Sequence, residues 1–146
     1  MPEQYWQLYK STPDVRACVD SIARRISTWD WFIKVNEDPR NPEEYTRLTD
    51  VAQRLRNFLR NPNTDGTTWQ EMMVAVVTDL LVYDAGVIEL VNDADGRLVE
   101  LQTWLGSEWF PVTDEHGHLI RYDQQTEDTP EKPVSVPPED LAYFRL

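Results

Sequence analysis

From Val15 to Ile26 the apolar positions Val15, Cys18, Val19, Ile22, Ala23 and Ile26 recur at three- and four-residue intervals, with Arg16, Asp20, Arg24 and Arg25 mostly on other faces. That spacing predicts an amphipathic helix whose core stripe includes Cys18. Thr12 is placed to cap it, Pro13 suits its first position, and Asp14 favours the positive end of the dipole. After Ser27 and Thr28 the period drops to two. Trp29, Trp31, Ile33 and Val35 alternate with Asp30, Phe32 and Lys34, as in a half-buried strand. Phe32 interrupts the polar side, so this strand is expected to be covered in part on both faces.

A turn rich in Asn, Asp and Pro spans residues 36–42, and Asn41, Pro42 and Glu44 make a capping-box pattern for a second helix. Its stripe is Tyr45, Leu48, Val51, Ala52, Leu55, Phe58 and Leu59, with Arg47, Arg54, Arg56 and Arg60 off the stripe as a solvated face. The loop Asn61 to Gly66 follows, and Thr68 to Glu71 is a capping box for a third helix. That helix, from Trp69 through Met72, Met73, Val76, Val77 and Leu80 to Tyr83, is the most apolar and is expected to be central.

Beyond Gly86 the period is that of strands. Residues 87–104 read as a hairpin turning at Asn92 to Gly96, and a second hairpin turns at Asp114 to Gly117. Residues 124–138, with four prolines, read as an extended loop, and Leu141 to Leu146 as a closing β-type run. Such a run stops at its most apolar point, which suggests the N-terminal piece of a longer protein. The expected architecture is one α+β domain over 1–146, about three helices packed on a mainly antiparallel sheet built from hairpins. The Trp29/Trp31 strand and the Trp69–Tyr83 helix are its expected core.

Composition alters this picture mainly through charge. The chain of 146 residues carries 14 basic and 26 acidic side chains, net −12. Residues 1–73 hold 10 basic and 11 acidic groups, whereas residues 74–146 hold 4 and 15. An acidic surface repels phosphate backbones, so nucleic-acid binding by counterion release is disfavoured. It suits solubility, a basic partner, or a protein that lets DNA pass without holding it. One cysteine excludes an intrachain disulfide and points to a reducing compartment. No apolar run approaches the roughly 20 residues that cross a bilayer, and MPEQYWQLYK lacks the form of a signal peptide. A soluble, cytoplasmic product is expected.

Candidate chemistry is sparse. Asp93-Ala-Asp-Gly96 resembles the start of a calcium loop, but strands flank it and Arg97 follows, so a hairpin turn is the better reading. His116 and His118 are too few donors for a tetrahedral zinc site, even with Asp114 or Glu115 beside them. There is no phosphate loop, nucleophile elbow, H-E-x-x-H or C-x-x-C motif. No catalytic, cofactor-binding or metal residue is assigned, and no cofactor is expected. A metal-dependent hydrolase acting through Asp93, Asp95 or His116 ranks last among the readings.

The capped helix STPDVRACVDSIARRIS runs into WDWFIKV, and a second helix ends in Phe58-Leu-Arg-Asn-Pro-Asn63. Next come Thr68-Trp69 and the long apolar helix, then Gly86-Val-Ile-Glu-Leu-Val, the Asp95-Gly96 turn, Leu98 to Leu101, and Pro138-Glu-Asp-Leu-Ala-Tyr-Phe144. In this order and spacing the features resemble the N-terminal, wing-like part of tailed-bacteriophage portal proteins, the head–tail connectors. The chain departs from the family pattern at Asp84-Ala-Gly86-Val and at Leu105-Gly106-Ser107. The resemblance implies a non-enzymatic subunit of a dodecameric ring through which DNA is packaged and ejected. It implies as partners other copies of the chain and capsid protein, with terminase and tail or adaptor proteins met through later segments. DNA would pass through the channel without sequence-specific binding, and no membrane is involved. The implied location is the virion, and host cytoplasm during assembly. The rival expectation is an acidic intracellular module that docks a basic protein.

Overall fold

The structure, a computed structural model, describes residues 2–35, 42–126 and 133–146. Within these lie four helices, α1 (Pro2–Ser11), α2 (Pro13–Ser27), α3 (Pro42–Arg60) and α4 (Trp69–Tyr83). The strands are β1 (Gly86–Asn92), β2 (Leu98–Trp104), β3 (Trp109–Thr113), β4 (Leu119–Gln124), β5 (Val134–Val136) and β6 (Leu141–Phe144). They form two antiparallel three-stranded sheets, an inner one ordered β2-β1-β6 and an outer one ordered β3-β4-β5. The α+β class and both hairpins agree with the sequence reading. The single sheet becomes two, and the three helices become four.

β1 lies between two cores, and strand alternation explains how. Successive side chains point to opposite faces of a sheet. Val87 therefore joins Trp109, Tyr122, Val136 and Leu141 between the two sheets, while Ile88 joins Met72, Val76 and Leu101 beneath α4. Gly86 admits α4 at close range, because a Cβ there would stand 2.8 Å from the Val76 carbonyl oxygen. The capping box predicted for α4 is present. The Thr68 hydroxyl accepts the Glu71 N–H at 3.2 Å, and the Glu71 carboxylate accepts the Thr68 N–H at 2.8 Å.

Four expectations need correction. The first is α1, whose sequence offers no regular apolar stripe. It is held by tertiary contacts instead: Trp6 stacks on Tyr9 and on Tyr83, Lys10 lies over the Trp6 ring, and the Tyr9 hydroxyl donates to Asp20 at 2.6 Å. The second is Cys18, which is exposed rather than buried. α2 turns the small residues Ala23 and Ser27 inward, a flank of the predicted stripe, because small side chains let it pack against α4. Cys18 and Ile22 are left on the outside.

The third is the Trp29–Val35 strand. No ladder forms over 29–35, and Trp29, Trp31 and Phe32 are 64%, 40% and 77% exposed. Trp31 meets Trp69 edge-on at 6.1 Å, and the segment is otherwise peripheral to the core. The fourth is the 124–138 loop, in which Val134–Val136 pairs with β4. The turn at 36–41 and the proposed cap Asn41 lie outside the described residues.

Candidate assembly interface

The polar motifs that hinted at metal chemistry are occupied in shaping turns. The Asp93 carboxylate accepts the N–H groups of Asp95 and Arg97 at 2.9 and 2.8 Å. In the second hairpin, Asp114 accepts those of His116 and His118, both at 2.8 Å, which with the Gly117 N–H holds its carboxyl below the usual range. Gly96 and Gly117 take the left-handed conformation that each turn needs, with φ of 76° and 83°. Both histidines are exposed at the tip. Among the described residues no group of three or more His, Cys, Asp or Glu side chains could hold a metal ion. Among the described residues no helix is long and apolar enough to cross a membrane.

Three features of the surface are built with more specificity. One is the seam between the sheets. The Gly106 N–H donates to the Asp79 carboxylate of α4 at 2.9 Å, and Gly106 sits where any Cβ would collide with the Ala85 carbonyl. Burial, with Glu108 nearby, pushes the Asp79 carboxyl up to about 6 despite that hydrogen bond. Burial and the charge on Asp79 likewise push the Tyr83 hydroxyl up to about 12. An aromatic cleft of about 280 Å³ opens beside this seam, lined by Tyr5, Tyr83, Trp109, Phe110, Pro111 and Tyr143 among others.

A second feature is α3. Its 19 residues carry the predicted apolar stripe, yet none is buried. Phe58 and Leu59 anchor its end against the core, and Arg56 donates to the Ile33 carbonyl at 3.2 Å. Tyr45, Val51 and Leu55 remain exposed. The chain turns back through Asn61-Pro62-Asn63, a motif that is structural here. The Pro62 carbonyl accepts the Leu101 N–H at 2.7 Å, and the Asn63 amide donates to the Leu101 carbonyl at 3.2 Å. This pins the end of α3 to the free edge of β2.

The third is the part of the inner sheet that the outer sheet leaves uncovered. By register, Glu89, Val91, Glu100, Gln102 and Trp104 share one face. The Trp104 indole donates to Glu89 at 2.6 Å, and neither β1 nor β2 contains a lysine or arginine. The described surface thus carries a partly apolar helix face with arginines on one side of the inner sheet and an acidic sheet face on the other. The sequence showed the two charge populations but not their faces, because register was needed to sort them.

No protein-family model and no curated protein matches the sequence. Solved structures do match. Over 97% of its length the chain superposes, at a TM-score of 0.75 and 18% identity, on 36% of a chain from the neck of an empty GTA particle computed with C6 symmetry. It also superposes at a TM-score of 0.54 and 17% identity on chains from the neck of the native GTA particle, computed with C12 symmetry, and from the virion of the native gene transfer agent (GTA) particle. Those matches cover 88% and 85% of this chain, and 41% and 40% of the others. The chain thus spans about two fifths or less of each neighbour, and at these identities the likeness is one of fold.

Proposed function

We propose that this chain is a structural subunit of a head–tail connector ring, the N-terminal, wing-like part of a portal protein through which DNA is packaged and ejected. The observation that carries this reading is the match, over nearly the whole chain, to a chain in the neck of a symmetric particle. The ordered sequence features that resemble portal proteins support it independently. The exposed apolar stripe of α3 and the segregated charge are what a ring subunit needs, since each copy must offer two different surfaces to its neighbours.

In this reading the partners are other copies of the chain, in a ring of about twelve for which C12 symmetry in a neighbour's assembly is the support. Capsid protein would meet the wing, and terminase and tail or adaptor proteins the segments beyond it. DNA passes through without sequence-specific contact, which an acidic chain favours. No enzymatic step is required of this subunit, and its location is the virion, reached from host cytoplasm during assembly. Negative-stain images of the complete protein test the reading. Rings with a central hole are expected, and compact monomers at every concentration would overturn it.

A further inference from the structure

We infer that the exposed face of α3 docks on the acidic face of the inner sheet of a second copy, head to tail. This rests on the ring reading above and names the surfaces that would build the ring. On α3, Val51 and Leu55 lie one turn apart and are each 41% exposed. Arg47 and Arg54 flank them at helical spacing, and neither enters an ion pair among the described residues. The remaining flank of α3, at Tyr45, Thr49, Ala52 and Arg56, already borders Ile33 to Val35.

The proposed receiving face has the complementary pattern. By register Glu89 and Gln102 form its middle row, with Trp104 at one end and Val91 and Glu100 at the other, and neither strand carries a basic side chain. Apolar contacts interleaved with opposite charges fix both partner and register. The two surfaces lie on opposite sides of the inner sheet. α3 is anchored on the Ile88 and Leu101 side, whereas Glu89 and Glu100 share the Val87 side. A two-fold contact of the sheet patch with itself would set carboxylates together, and patches on opposite sides of the inner sheet cannot both meet in one two-fold contact. Only a head-to-tail contact satisfies both, and repeated heterologous contacts close into rings.

The test is sedimentation velocity of the chain over a range of concentrations, with Arg54→Glu, Glu100→Arg and the two combined. All three positions of attack are at the surface or half-buried, and Leu55→Asp provides a second probe that adds no charge at the arginines. Each single change is expected to raise the Kd for self-association about tenfold or more, and the combined reversal to recover most of that loss. Association unaltered by the single changes, a combined variant no better than either, or a wild-type chain that stays monomeric would overturn the docking. Rings of the complete protein that ignore the charge pair would sink the docking and leave the ring reading standing. Absence of rings would sink that reading as well.

Discussion

Two tryptophans show how far residue type alone fails to indicate burial. Trp31 belongs to an alternating run that resembles a strand, yet it is 40% exposed, while Trp109, at the start of a less regular run, is 3% exposed between the sheets. Alternation records which residues share a face and not whether anything covers that face. Trp109→Ala is expected to cost about 3–5 kcal/mol, the range for large aromatic truncations in cores, and Trp31→Ala about 1 kcal/mol or less. Chemical denaturation of both variants separates them, and equal losses would contradict this placement of the core. Asp79 offers a second test. Its folded-state carboxyl titrates near 6, above its ordinary 3.8, so the folded state holds the proton more tightly. Stability from this group is therefore full below about pH 4 and lost as pH rises through 6. Asp79→Asn, which can still accept the Gly106 N–H through its amide oxygen, should flatten that dependence. At pH 8 it should raise stability by on the order of 2 kcal/mol. Melting curves at pH 4, 6 and 8 with the same slope as wild type would rule this out.

Elements with strong local signals were legible in the sequence, and those that depend on distant partners were not. The Thr68–Glu71 capping box, the two Asp-to-Gly turns and the period of α4 are encoded within a few residues, and each forms as read. α1 was not legible, because its order comes from Tyr83 and Asp20, far along the chain. Division into two sheets was hidden too, since it follows from Gly106 meeting Ala85 and Asp79 rather than from any periodicity. α3 is the opposite case: its stripe was read correctly, but among the described residues only its end at Phe58 and Leu59 packs on the core, and Val51 and Leu55 stay exposed. Of the candidate interface, therefore, the sequence showed the α3 stripe and the charge imbalance, and the fold showed which residues are exposed and which share a face. Helices with few tertiary contacts open with low free energy. Amides of residues 42–60 in the monomer should exchange with solvent orders of magnitude faster than those of residues 72–83. Assembly should slow the first set and leave the second nearly unchanged. Hydrogen-exchange mass spectrometry on dilute and assembled protein measures both, and equal protection of the two helices in the monomer would contradict the account.

For the whole molecule, charge acts at two distances and in two directions. The net charge of −12, nearly all of it in residues 74–146, makes copies repel one another at long range. The arginines of α3 and the carboxylates of the inner sheet attract only once copies are nearly in contact. Salt does not weaken these equally. The Debye length is about 30 Å at 0.01 M, about 8 Å at 0.15 M and about 3 Å at 1 M. Raising salt to physiological strength removes repulsion between distant acidic groups, while pairs roughly 4 Å apart in a partly desolvated contact retain most of their attraction. Further salt then erodes the contact pairs themselves, leaving only the apolar contacts. Self-association should thus pass through a maximum near 0.1–0.3 M and decline on either side. Removing the arginine contribution with Arg47→Gln and Arg54→Gln together should abolish the decline at high salt, because no local attraction would remain to be screened. Sedimentation across the salt series decides between this and a purely hydrophobic association, which would strengthen steadily to the highest salt.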